Sequence, residues 1–238
     1  MGRPANDTAN QPANHTAGRT DEDHCTGWPE EAFDVLLRLD GDPTLAERER
    51  QRRDRERLVR RPMLALLRDV AAADEAYEDF HVWGFAKMLW PWQRQVGMVR
   101  VAPNVELGVS FDLDGLAVQC SWWYAPGEQV ERYRAAVAGD AGAELAEVVE
   151  DLSEEGYEIG GDLLKRVPRG FPPDHPRADL LRHRTLTASR PVGGEAWLHT
   201  PEVVDRVLAE FAALRPMTSW FAGNAGPELS ATGASVRL

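Results

Sequence analysis

The sequence predicts an α+β fold, an antiparallel sheet of about four to six strands packed against helices from both ends of the chain. Three observations carry this expectation. Apolar residues recur at helical spacing up to Val70 and again after Pro126; between Phe80 and Tyr124 the period drops to two; and Asp114-Gly115 places turn chemistry inside that alternating stretch. Helices, then strands, then helices argue for segregated elements rather than alternating βαβ units.

Residues 1–24 are rich in Asn, Thr, Ala, Gly and acids, and Pro4-Ala5-Asn6 is echoed by Pro12-Ala13-Asn14. So little apolar surface cannot offset the cost of ordering, and a disordered leader is expected there, with a single domain over 25–222 and a flexible tail over 223–238. Pro29 with Glu30 and Glu31 suits the first turn of a short amphipathic helix in which Phe33, Leu36 and Leu37 recur at helical spacing. From Leu45 to Val70 a longer helix is expected, charged all round at first and then apolar at Leu58, Met63, Leu66, Leu67 and Val70, with Pro62 kinking or restarting it.

Val105, Leu107, Val109 and Phe111 alternate against Glu106, Gly108, Ser110 and Asp112, which is a half-buried strand. Leu116, Val118, Cys120, Trp122 and Tyr124 alternate on the return, making an antiparallel hairpin, and Val82 to Phe85 and Val96 to Val101 read as further strands of the same sheet. Residues 127–155 read as two helices joined near Gly139-Asp140. A Pro- and Gly-rich connector then leads to a short helix near Leu180, a strand at Leu186 to Pro191 and a final helix opening at Thr200-Pro201-Glu202.

Hydrophobic residues make up 43% of the chain and eight are Trp, enough to build a core without disulfides or metals. A formal charge of −12 argues against bulk binding to nucleic acid or anionic lipid. Only Cys25 and Cys120 are present, and no stretch approaches the roughly 18 apolar residues of a membrane span, so a cytoplasmic protein is expected. The six His are scattered, and neither a P-loop nor a dinucleotide fingerprint occurs, so neither metal nor cofactor is expected.

Three constellations remain. Arginines from Arg48 to Arg61 are interleaved with Glu47, Glu49, Asp54 and Glu56; this is either a surface for an acidic partner or a solvated helix with i,i+4 ion pairs, and the diluting acids favour the second. Trp83, Trp90, Trp92, Trp122 and Trp123 concentrate rings around the sheet. Trp122 and Trp123 are adjacent on a strand and face opposite ways, so one enters the core while the other must meet a helix, a ligand, a partner or solvent. Lys165, Arg166, Arg169, His175, Arg182, His183, Arg184 and Arg190 form a second basic group, suited to an anion or to pairing with nearby acids.

The run Leu164-Lys165-Arg166-Val167-Pro168-Arg169-Gly170-Phe171-Pro172-Pro173-Asp174-His175-Pro176, with Asp179-Leu180-Leu181-Arg182 and Ala188-Ser189-Arg190-Pro191, resembles a bacterial family known as domain of unknown function 2461. Weaker similarity extends over roughly residues 27–222. With the family's charged signature anchored on Phe85, this chain carries Glu78, His81, Val82, Gly84, Leu89 and Trp92 where relatives have Arg, Arg, Asp, Arg, Lys and Tyr, so it resembles a divergent member. Trp does not reproduce the forked recognition that Arg offers an anion.

The functional expectation is a small-molecule-binding protein whose pocket is lined by aromatic and cationic side chains: Lys87, Trp90 and Trp92 beside His81, with Arg169, Arg190 and His175 for an anionic group. If it is catalytic, His81 or His175 is the acid–base candidate, since imidazole titrates near neutrality. The alternative is a non-catalytic protein that binds a protein partner through exposed Trp and acidic helices.

Overall fold

The computed structural model describes residues 24–84, 91–123 and 125–226. Residues 1–23 of the expected leader, Lys87, Trp90, and the tail beyond residue 226 lie outside the described residues.

Six antiparallel strands form one sheet: β1 (Phe80–Val82), β2 (Gln95–Ala102), β3 (Val105–Asp112), β4 (Gly115–Trp122), β5 (Glu158–Gly160) and β6 (Leu186–Gly193), in the order β1-β2-β3-β4-β6-β5. The hairpin turns at Leu113-Asp114, with Asp112 opposite Gly115. Gly115 has φ of 95°, a conformation that costs a side-chain-bearing residue energy, which is why glycine stands there. The first strand falls two residues earlier than expected, because its pairing to β2 sets Val82 opposite Gly97. Trp83 then gives only its N–H to the Val96 carbonyl (3.1 Å) as the ladder ends. The edge strand β5 has no sequence signature, since three residues contain too little alternation to be read.

Among the described residues, helices cover one face only. They are α1 (Glu31–Arg38), α2 (Leu45–Asp54), α3 (Arg61–Ala73), α4 (Gly127–Ala138), α5 (Ala141–Glu154), α6 (Ala178–Arg182) and α7 (Glu202–Asn224). Between α2 and α3 the chain makes a π-helical turn over Arg55–Arg60, and α3 restarts with Pro62 in its first turn. Proline has no N–H to return to the preceding turn, so the chain widens there and the Arg61 N–H reaches the Glu56 carbonyl. The final helix runs to Asn224, two residues into the segment expected to be tail, and the Thr200 hydroxyl accepts from Glu202 N–H (3.3 Å) at its start.

The core lies between α3, α7 and the covered face of the sheet. Val105, Leu107, Val109, Phe111, Leu116, Val118, Cys120 and Trp122 are all buried there. Trp28 stacks on Phe111 (4.6 Å between centroids) and donates its indole N–H to the Val59 carbonyl (3.0 Å), tying the start of the domain to the π turn. Trp122 stacks on Phe221 at 5.1 Å and lies 4.6 Å from Tyr133, joining β4 to α7 and α4. Among the described residues, no helix is long and apolar enough to cross a membrane.

Candidate functional site

Strand pairing brings one residue from every strand into a single row on the face without helices: His81, Met98, Gly108, Gln119, Ser189 and Glu158. At ~4.8 Å per strand the row is about 24 Å long. Parallel to it run Arg100, Glu106, Ser121, Thr187 and Gly160 on one side, and Val96, Ser110, Ala117 and Pro191 on the other.

Met98, Gly108, Gln119, Ser189 and Glu158 of the long row, with Val96, Ser110, Ala117 and Pro191, form the floor of a groove of about 630 Å³. Gly108 keeps its centre low, since a Cβ there would stand 3.2 Å from the Met98 sulfur. Trp123 forms a wall, its indole N–H donating to Glu106 Oε2 (3.0 Å), which fixes the plane of the ring. At the turn end Arg94 and Asp112 close on each other (2.7 Å), so their charges are mutually neutralised. Gln119 donates to the Ser121 hydroxyl, holding its amide along the floor. The groove thus offers hydroxyl and amide groups at Ser110, Gln119 and Ser189, apolar surface at Val96, Met98 and Ala117, and one fixed indole.

The residues expected to line a single pocket are not gathered there. His81 is exposed at the β1 end of the long row, its ring 5.2 Å from that of Trp83. Trp92 lies toward α2, with the Arg48 guanidinium 4.4 Å above its ring. Arg190 borders the groove, but its guanidinium is engaged: Nε donates to Glu210 Oε2 (2.7 Å) and Nη1 to the Glu155 carbonyl (3.0 Å), and it lies 4.5 Å over the Tyr157 ring. Tyr157 also donates to Glu210 (2.6 Å); burial first, and then that carboxylate, push its phenol pKa upward.

Arg169 is exposed and His175 half-buried in the connector that follows β5, where His175 Nδ1 accepts from Arg177 N–H (3.0 Å). Among the described residues, the shared cavity of rings and cations therefore does not form. The physical reason is topological: β1 and β5 are opposite edges of the sheet, so the Trp92 region and the connector are separated by its width. The second basic group is mostly structural. Arg184 pairs with Asp162, Arg182 with Asp179, and His183 is buried with Nδ1 2.8 Å from the Thr185 carbonyl.

Ser110, Gln119 and Ser189 were not singled out from the sequence. Their signal was the polar half of the alternation in β3, β4 and β6, visible beside Val109, Val118 and Ala188. Recognising it as a floor required knowing that no described helix covers that face. Both thiols are buried, and burial pushes Cys25 up to about 11 and Cys120 up to about 12, so neither is poised as a nucleophile. Among the described residues no three His, Cys, Asp or Glu side chains group to hold a metal ion.

Fold and groove together define a two-layer α+β protein in which the described helices cover one sheet face and leave the other open. A family model described as a conserved hypothetical protein, domain of unknown function 2461, matches residues 91–220, and the chain belongs to that family. The match runs from just before β2 through most of α7, so β1 and the arginine-rich helix lie outside it. No curated protein and no solved structure matches the chain.

Proposed function

We propose that this protein binds a small, largely uncharged molecule on the open face of its sheet. The row from Met98 to Glu158, with Gly108 inside it, carries the reading: it provides a continuous floor bearing neutral hydrogen-bonding groups beneath a pinned indole. Pockets of this size, mostly apolar with a few placed polar groups, suit small ligands. Arg94 and Asp112 satisfy each other and Arg190 is held by Glu210, which supports a neutral ligand over an anion in this groove. Of the residues expected to contact a ligand, Arg190 borders this groove. The two buried free thiols fit a reducing, cytoplasmic setting.

Thermal-shift screening of neutral metabolites against wild type and Trp123→Ala tests this. A ligand at about 100 times its Kd adds about 2.7 kcal/mol of stability, which raises Tm by roughly 5–10 °C in a domain of this size. Loss of that shift in Trp123→Ala supports the groove. Ligands that stabilise both proteins equally bind elsewhere and sink the proposal, and a broad library without one hit turns the reading toward a protein partner.

A further inference from the structure

On the other side of β1 lies a second concavity, built from elements that the proposed groove does not use. Helix α2 buries none of its ten residues. A helix this short is marginal in water by itself, so something other than core packing must hold it. A capping box does part of this: Glu47 N–H donates to the Thr44 hydroxyl (3.3 Å) while the Glu47 carboxylate accepts from Thr44 N–H (2.7 Å).

The π turn does the rest. Arg55 is 1% exposed and donates to the carbonyls of Trp92 and Arg94 and to Gln95 Oε1, at 3.4, 3.0 and 3.0 Å. Its guanidinium has its pKa lowered to about 10, chiefly by burial. Arg60 donates to the carbonyls of Val82 and Trp83 at 3.2 and 3.3 Å. Two cations thus fasten the widened turn to the end of β1 and the entry to β2, and Arg48 lies on the Trp92 ring at 4.4 Å.

The result is a cleft of about 1150 Å³ between α2, the π turn and Trp92. Five arginines and two glutamates line it, an excess of three positive charges on a chain whose net charge is −12. Arg48 and Arg52 stand four residues apart, as do Arg53, Arg57 and Arg61 in turn, so the two adjoining rows line one side of the cleft across the π turn. Arg52 pairs with Glu49 at 3.8 Å and Arg57 with Asp54 at 3.2 Å, both exposed and exchangeable; Arg48, Arg53 and Arg61 are in no ion pair among the described residues. Arg48 Nε is inaccessible to solvent and has no hydrogen-bond acceptor among the described residues. A solubilising surface needs neither a clamped helix nor an aromatic wall.

We infer that this cleft is a binding site for a compact polyanion carrying two or more phosphoryl groups. Guanidinium forks match phosphoryl oxygens bidentately, and several on one face engage successive groups of one molecule. A small ligand senses charge within a Debye length of about 8 Å, whereas an extended nucleic acid must also approach the acidic remainder of the surface. The site is independent of the open-face groove and of the neutral ligand proposed for it.

Isothermal titration of the full chain with inorganic tripolyphosphate, at constant physiological ionic strength, tests the inference. The expected result is saturable one-to-one binding, weakened at least tenfold (about 1.4 kcal/mol) in the Arg53→Ala/Arg57→Ala double variant. Arg50→Ala, which removes the same kind of charge from α2 outside the cleft, should leave it within a factor of two or so. Trp123→Ala should leave it unchanged, which separates this site from the groove. Absence of saturable binding, or an equal loss in Arg50→Ala, overturns the inference. So does a single-stranded oligonucleotide that binds more tightly than tripolyphosphate, since that result assigns the arginines to nucleic acid.

Discussion

Trp122 and Trp123 are neighbours in the chain and opposites in the fold. The first is 0% exposed in the layer between sheet and helices, stacked with Phe221 and Tyr133; the second lies half-buried on the open face with its N–H on Glu106. The same residue type thus serves packing on one face and a groove wall on the other, because successive strand residues alternate and only one face has helices to meet. The glycines repeat the lesson. Gly97, on the covered face, makes room for Leu67 and Met63 of α3, while Gly108, on the open face, makes room for the Met98 thioether and leaves the groove floor low.

The sharpest way to break this comparison is to truncate each tryptophan. Trp122→Ala should cost about 3–5 kcal/mol, because the cavity is sealed by Phe221 and Tyr133 and cannot collapse; a urea titration would read this directly. Trp123→Ala should cost about 1 kcal/mol or less, since one side of its ring already meets solvent. Equal losses would mean that both faces are core, and the groove would cease to be a separate feature.

A smaller effect is expected at the glycines. A Cβ at position 97 would lie 2.7 Å from Leu67 Cδ1, and Leu67 is fully buried, so Gly97→Ala should destabilise by about 1–3 kcal/mol. At Gly108 the obstacle is Met98 at 3.2 Å, a half-buried and pliable side chain. Gly108→Ala should therefore leave the melting temperature within about 2–4 °C of wild type. Comparable destabilisation at both positions would show the open face to be as tightly packed as the covered one.

The smallest effect is one of pH. Burial holds the His183 ring below its ordinary value of 6.5, against the opposing influence of its contact with the Thr185 carbonyl. Below that value the unfolded chain takes up a proton that the folded protein resists, so stability should fall as pH drops through it and level off once the folded ring also titrates. The slope should stay under about 1.4 kcal/mol per pH unit, and His183→Asn should flatten it. An unchanged slope in that variant would assign the acid sensitivity to other groups.

The legible parts of the molecule were those with long, local patterns. The β3–β4 hairpin, the pair of helices meeting at Gly139-Asp140 and the final helix after Thr200 each declared themselves through periodicity and turn or cap residues that act within a few positions. Family membership was legible for a similar reason, through the contiguous run from Leu164 to Pro176 inside the matched segment. The opposition of Trp122 and Trp123 also followed from alternation alone, although not which of them would be buried.

What the chain by itself determined, then, was its fold class, the order of its elements and the two-sidedness of its strands, since each follows from interactions between residues close in sequence. Tertiary structure decided where β1 and β5 stand, and by making them opposite edges it separated Trp92 from Arg169, His175 and Arg190. It also decided that Glu210, 20 residues beyond Arg190, neutralises that arginine, and that Arg55 is buried among the carbonyls of a loop some 40 positions away. Strand order and charge partnership depend on contacts between distant segments, and no period or spacing along a single chain encodes which of those segments will meet.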